Sequence, residues 1–294
     1  MLHLLKESFS RFLQDSAPRL AAALSYYTIF SLAPLLIIMV AIVGAVYGED
    51  AAQGLIVEQL GVVIGENAAA YIEMLIVQAA QPGSSLLASI IGVAILIYGA
   101  SRIFNHLRFS LNSIWNVKVK EELGILHKIK IKGFSLLLVL ITGFLLLATI
   151  VANTAIVTMV QFLREHLFFG HEIWHVFNFL FLYAITTLIF ALVFKFIPSA
   201  DIDWIPVWVG SLFTALLFSF GRYVLGLYLG FITPGSTYGA AGSLVVILFW
   251  IYYSAQILFL GAEFTQVFAS HRGTPIKPSK DARTVPSSNH RAGM

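Results

Sequence analysis

The sequence predicts an all-α, polytopic membrane protein, a six-transmembrane-helix bundle with amphipathic helices in an outer loop. Three observations carry this. The 294 residues are 59% hydrophobic and only 11% charged, whereas soluble domains carry about 25% charged residues. The mean hydropathy of +0.86 describes more apolar surface than a globular core of this size can hide, so lipid is its natural solvent. Finally, 16 of the 18 lysines and arginines fall in the two chain ends and in alternate connections between apolar segments.

The first 19 residues are expected to form a helix on the membrane surface. Leu2, Leu5, Phe9, Phe12 and Leu13 share one helical stripe, and Lys6 and Arg11 lie off it. Six segments then reach the length that a hydrocarbon core of ~30 Å requires. They are Leu20–Tyr47, Leu86–Phe104, Gly133–Val160, Val176–Ile197, Pro206–Ile232 and Gly242–Ala269. The first is too long for a cleavable signal, and Glu7 and Asp15 precede it. Pro34 lies inside it and is expected to kink it. Between the first two spans, the loop from Gly48 to Ser85 carries five acidic residues and no basic one. Its glycine-broken apolar stretches read as short amphipathic helices on the outer face. The spans form one domain over 20–270, and 271–294 reads as a basic, disordered tail rich in proline and serine.

The basic residues set the orientation. Lys6, Arg11 and Arg19, the group from Arg102 to Lys132, Lys195 and the tail all fall inside if both termini are cytoplasmic. Arg164 falls outside and Arg222 within a span. A multi-pass membrane protein with both termini cytoplasmic follows, and the net charge of +3 then needs no nucleic-acid partner. With no cysteine in the chain, disulfides and thiolate metal sites are excluded.

Ionisable groups within spans are costly and mark candidate sites. Arg222 lies in the fifth span and Glu263 near the inner end of the sixth. Tyr252, Gln256 and Glu263 are 4 and then 7 residues apart, which at ~100° per residue keeps them within about 40° of one helix face. Tyr26, beside Ser25 and Thr28, occupies comparable depth on the first span, and Asn105 approaches from the second with Arg102 and Arg108. These six residues, Arg222, Glu263, Gln256, Tyr252, Tyr26 and Asn105, are the candidate lining of a polar, inward-opening pocket. The alternative is structural: Glu263 pairs with Arg102 or Arg108 while Arg222 snorkels outward. Gly226-x-x-x-Gly230 and Gly44-x-x-x-Gly48 are spaced for close helix packing.

The stretch His171-Glu172-Ile173-Trp174-His175 matches H-E-x-x-H, in which two histidines one helical turn apart bind zinc and the glutamate activates water. It falls in the outer loop before the fourth span, and every later carboxylate lies a membrane thickness away. His166 or an acid of the Gly48–Ser85 loop could complete a site. Interfacial preference of histidine and tryptophan explains the cluster more simply, so His171 and His175 are only weak metal candidates. His3, His106, His127, His271 and His290 form no second cluster in the sequence. No cofactor pattern, phosphate-binding loop or nucleophile elbow is present, so no cofactor and no catalytic residue is expected.

Three stretches carry a resemblance to a known family. "RLAAALSYYTIFSLAPLLI" (19–37), "LNSIWN" (111–116) and "GSTYGAAGSLVVILFWIYYSAQILFLGAEFTQ" (235–266) resemble the YihY/BrkB family of bacterial inner-membrane proteins, in order from about Asp15 to Phe268. The family pattern maps onto Ala23, Tyr26, Ser31 and Pro34 in the first span. In the last block it maps onto Gly235, Tyr238, Gly239, Trp250, Gly261, Ala262 and Glu263. The resemblance implies six transmembrane helices and an inner-membrane location. It also brings a ribonuclease BN label and a virulence-factor label. The residues do not support a ribonuclease, since no metal–water constellation is visible, and HEIWH is not part of the family pattern.

Transport or handling of a lipid or another amphiphile through the polar pocket is the leading functional expectation, with membrane lipids as partners. Arg222 would suit an anionic headgroup, because guanidinium binds phosphate bidentately. A non-transporting scaffold contacting envelope proteins, or a homo-oligomer, is the alternative. An H-E-x-x-H membrane metallopeptidase is the remote one.

Overall fold

The computed structural model describes residues 2–48, 51, 53–58, 69, 73, 77, 102–120, 171–231 and 239–285. Its chain order is α1 (Leu2–Gln14), α2 (Ala17–Tyr47), α3 (102–114), β1 (Val117–Val119), α4 (His171–Phe196), β2 (Ala200–Asp201), α5 (Trp204–Phe231), α6 (Gly239–His271), β3 (Lys277–Pro278) and β4 (Ala282–Thr284). The protein is mostly helical. Among the described residues, Phe179–Phe196, Trp204–Val224 and Val245–His271 are long and apolar enough to cross a membrane.

α1 keeps the expected apolar stripe, but the stripe divides. Phe12 is buried in the core, whereas Leu5, Phe9 and Leu13 are exposed. Ser16 turns the chain with a left-handed backbone (φ 55°), and proline in the first turn starts α2. α2 continues through Pro34 to Tyr47. The expected span Gly133–Val160 lies outside the described residues, as does Leu86–Phe104 up to residue 101. Of the Gly48–Ser85 loop, residues 53–58 are helical.

α4 begins at His171, five residues before the expected start of the fourth span. The H-E-x-x-H stretch is therefore helical, not a loop. Its apolar neighbours Ile173, Trp174, Val176 and Phe177 let the helical run extend upstream. The side chains of His171 and His175 lie outside the described residues.

α5 and α6 pack through a reciprocal set of small residues. A side-chain carbon at Gly210 would collide with the Thr265 hydroxyl, and one at Gly261 with the Thr214 hydroxyl. Each threonine turns its hydroxyl back onto its own helix: Thr214 Oγ1 donates to the Gly210 carbonyl and Thr265 Oγ1 to the Gly261 carbonyl, both at 2.7 Å. Two Gly-x-x-x-Thr runs thus face each other, letting the backbones approach while both threonine hydroxyls stay satisfied. The side-chain surroundings of Gly226 and Gly230, which the sequence singled out for such packing, lie outside the described residues.

Residues 277–284 correct the expectation of a disordered tail. Gly273, at φ 81°, reverses the chain after α6, and the Thr274 N–H reaches the Ala269 carbonyl at 3.0 Å, a glycine-terminated helix end. β3 then pairs antiparallel with β2, and β4 with β1, in register Val117↔Thr284, Lys118↔Arg283 and Val119↔Ala282. Ala282 and Val117 bury against the core. The strand partners come from residues far upstream, so nothing in the local composition announces them. The fold is accordingly helical with two short sheets, not purely α. Residues 286–294 lie outside the described set.

The core gathers Phe12, Ala21, Leu107, Leu111, Trp115, Phe194, Ile202, Phe259 and Ala262 with their neighbours, where α1–α3 and β1 meet the ends of α4, α5 and α6. Outward faces stay apolar: Leu216, Phe220 and Tyr223 on α5 and Phe179 and Leu180 on α4 are all more than half exposed. Such a surface requires lipid contact.

Candidate functional site

The stretch "LNSIWN" organises one end of the bundle. Leu111 and Ile114 are fully buried. Asn112 reaches across to the turn after α4: its Oδ1 accepts the Ser199 N–H at 2.7 Å and its Nδ2 donates to Ser199 Oγ at 3.3 Å. Trp115 donates its indole N–H to the Ala262 carbonyl at 3.0 Å. Asn116 ends α3 with a left-handed backbone, φ 53°, a conformation asparagine tolerates. Its carbonyl accepts the Val285 N–H. One short motif thereby ties α3 to α4, α6 and β4.

Beside this motif lies a cavity of about 720 Å³. Its polar lining includes Asn105, Asn112 and Asn116, and three cations stand around it, Arg108, Lys118 and Arg283. The sheet register explains two of them, since Lys118 and Arg283 are paired opposite each other in β1 and β4. Arg108 is anchored by donating Nε–H to the Ile197 carbonyl at 2.9 Å. Burial pulls its guanidinium below its ordinary pKa, although arginine stays charged. Charge is thus held in a partly desolvated place, where attraction for an anion is strengthened.

An aromatic track leads away from this cavity. Phe109 lines it, and successive ring contacts run from Phe109 to His106, Tyr27, Tyr26 and Phe30 at centroid separations of 6.1, 4.8, 5.8 and 4.8 Å. Tyr26, Phe30 and Phe109 are exposed. The His106 ring contacts the Leu20 carbonyl at 3.4 Å, and burial lowers its pKa despite that contact.

The six sequence candidates do not form one pocket. Asn105 lines the cavity; Arg222, Glu263, Gln256, Tyr252 and Tyr26 are not among its lining residues. Tyr26 belongs to the aromatic track, and Tyr252 is half-buried against the core. Gln256 and Arg222 are also half-buried. Glu263 is fully buried, with no hydrogen-bond partner for either carboxyl oxygen among the described residues. The Asp15 carboxyl, at the α1–α2 junction, faces it, and the Arg11 charge acts on it from α1. The expected partners Arg102 and Arg108 do not take that place, because Arg108 is turned to Ile197 at the end of α4. Lys118, Arg283 and Asn112 were missed as site residues. In the sequence Lys118 and Arg283 bear only on orientation, and the signal that points to Asn112 is a polar side chain one turn from Arg108 on a helix rich in buried residues.

A second group of side chains also corrects the sequence reading. His3, Glu7 and His271 converge, with potential ligand atoms all within 4.8 Å of one another. The two histidines are separated by almost the entire chain, and the packing of α1 along the end of α6 joins them.

These features define a helical integral membrane protein with a cationic cavity at one end of its bundle. Residues 8–285 match the family described as Virulence factor BrkB. The chain belongs to that family. Among relatives, it is 29% identical to a UPF0761 membrane protein of Verminephrobacter eiseniae, covering 88% of this chain and 60% of the relative. A UPF0761 membrane protein of Mannheimia succiniciproducens is 27% identical, with 90% of this chain and 88% of the relative covered. Another from Rhodospirillum centenum is 27% identical, with 92% and 58% covered. The chain thus spans less than two thirds of the length of two of these relatives. No solved structure matches.

Proposed function

We propose that this is a six-span protein of the bacterial inner membrane, with both termini cytoplasmic, that binds and handles an amphiphile with an anionic headgroup. The observation that carries the reading is the cavity in which Arg108, Lys118 and Arg283 surround one volume. Three cations with asparagine side chains suit a phosphate-type headgroup, which accepts several charge-assisted hydrogen bonds. The exposed rings of Phe109, Tyr26 and Phe30 offer the apolar part a path toward the lipid-facing surface. The cytoplasmic placement is supported by charge, since sheet pairing gathers Lys118, Lys120, Lys277, Lys280 and Arg283 at the cavity end.

Arg222 is not needed for this reading; the headgroup role expected of it passes to Arg108 and its neighbours. The test is lipid retention. Protein reconstituted in nanodiscs containing equal anionic and zwitterionic phospholipid is extracted, and its bound lipid is weighed by native mass spectrometry. Wild type should retain the anionic lipid preferentially, and Arg108→Ala with Arg283→Ala should abolish the preference. Equal retention of both lipids by wild type ends the proposal. Whether handling includes transport is read separately, from movement of a labelled anionic lipid across vesicles with and without the protein.

A further inference from the structure

We propose that His3, Glu7 and His271 form a binding site for a divalent transition-metal ion of the zinc class. Nδ1 of His3 lies 3.9 Å from Glu7 Oε2, and Nε2 of His271 lies 3.6 Å from the same oxygen. A tetrahedral zinc with bonds of about 2.0–2.1 Å holds neighbouring ligand atoms about 3.4 Å apart. Both histidine–glutamate separations are thus within about half an ångström of that spacing, and the two histidine nitrogens, within 4.8 Å of each other, are brought closer by rotation of the exposed His3 side chain. Two imidazoles and one carboxylate are a recurrent zinc donor set, leaving a fourth position for water.

The groups around the site orient these ligands. His271 Nδ1 is 2.9 Å from the Val267 carbonyl one turn back in α6. Donation of Nδ1–H there places the proton on that nitrogen and leaves the Nε2 lone pair for the ion, the arrangement found behind metal-binding histidines. Glu7 is held in the same way: its Oε1 accepts the Arg11 guanidinium at 2.8 Å, and Oε2 is left facing the histidines. His3 and Glu7 are one turn apart on α1, where i and i+4 side chains meet. His271 supplies the ligand from the end of α6, so an ion would clip the amphipathic N-terminal helix onto the last span. The two imidazole donors favour zinc, which binds them strongly, over calcium or magnesium, while the charge of Arg11 opposes every cation alike. Nothing in this site involves the H-E-x-x-H stretch.

Zinc itself is the probe. Full-length protein carrying no polyhistidine tag is stripped with a chelator and titrated with zinc against a chromogenic indicator, and its thermal unfolding is followed with and without the ion. We expect one zinc per chain, a raised unfolding midpoint, and slower tryptic cleavage after Lys6. His3→Ala and His271→Ala should each weaken binding at least tenfold while leaving the metal-free midpoint unchanged. His171→Ala with His175→Ala should leave binding intact. Zinc bound equally by His271→Ala and wild type, or lost only in the His171 and His175 variant, overturns the assignment.

Discussion

Gly210 is the position where the α5–α6 interface is most sharply testable. An added methyl there lies 2.9 Å from Thr265 Cβ and 3.3 Å from Cγ2, and it overlaps the hydroxyl. Threonine in a helix divides between two rotamers, so the hydroxyl can swing away, at the loss of its hydrogen bond to the Gly261 carbonyl. That loss is worth about 0.6 kcal/mol in membrane helices. Rotation leaves Cβ where it is, about 0.5 Å inside an ordinary 3.4 Å contact, so the helices must also part. Overpacking of this kind costs about 1–3 kcal/mol. Gly210→Ala should therefore destabilise the protein by roughly 2 kcal/mol, read as a lowered unfolding midpoint in detergent. Gly54→Ala is the control, because a methyl at Gly54 meets nothing within 4 Å and alanine favours a helix. Combining Gly210→Ala with Thr265→Gly removes the obstructing side chain, so the pair should be less destabilised than the two single changes summed. If Gly210→Ala unfolds at the same temperature as Gly54→Ala, the reciprocal Gly–Thr packing is refuted.

Other perturbations test neighbouring parts of the same end. Trp115→Phe removes the indole N–H that Ala262 accepts and leaves a small void. A loss of about 1–2 kcal/mol is expected in the same unfolding assay, and wild-type stability would show that this bond holds nothing. His106 titrates with a folded pKa lowered by burial, so the unfolded chain binds its proton first as pH falls below about 6.5. Its neutral form therefore favours folding at high pH, and this contribution declines as pH drops through the unfolded value and on to the folded one. His106→Phe should gain stability relative to wild type between pH 7 and pH 5 in parallel unfolding scans; a constant difference across that range would contradict the assignment. Replacing Asn112 by alanine leaves the Ser199 N–H without its acceptor at an expected cost of about 1–3 kcal/mol, and an unchanged midpoint would remove Asn112 from the scaffold of the cavity.

Much of the fold is legible because membrane helices announce themselves in one dimension. α2, α4, α5 and α6 fall on apolar runs whose length the bilayer dictates, and their ends agree with the sequence within about five residues. The stripe of α1 is legible for the same reason, since helical periodicity is local. What escapes is pairing between distant residues. The strands β3 and β4 lie in a segment whose prolines and serines argue for disorder, and only Asn116, Ser199 and their neighbours give that backbone its partners. The Gly210–Thr265 and Gly261–Thr214 contacts likewise depend on two helices meeting at one register, and a Gly-x-x-x-Thr run carries less signal in a sequence than a Gly-x-x-x-Gly run.

The candidate site shows how the same limit acts on charge. Treating embedded ionisable groups as functional selects Arg222 and Glu263, because each is costly in lipid. It passes over Lys118 and Arg283, which orientation already accounts for. Yet a residue that satisfies a topological bias is not thereby spent: β1–β4 pairing sets Lys118 and Arg283 side by side and turns a statistical excess of positive charge into a lined volume. Glu263, by contrast, faces the Asp15 carboxyl, with the Arg11 charge also acting on it, so its surroundings are set at the junction of α1 with the bundle. α1 and the turn after it meet the last helix at two places, where Asp15 faces Glu263 and where Glu7 lies beside His271. The last helix is thus met by the side of α1 that carries Glu7, while Leu5, Phe9 and Leu13 stay exposed, so one local stripe divides between packing and an outward apolar edge.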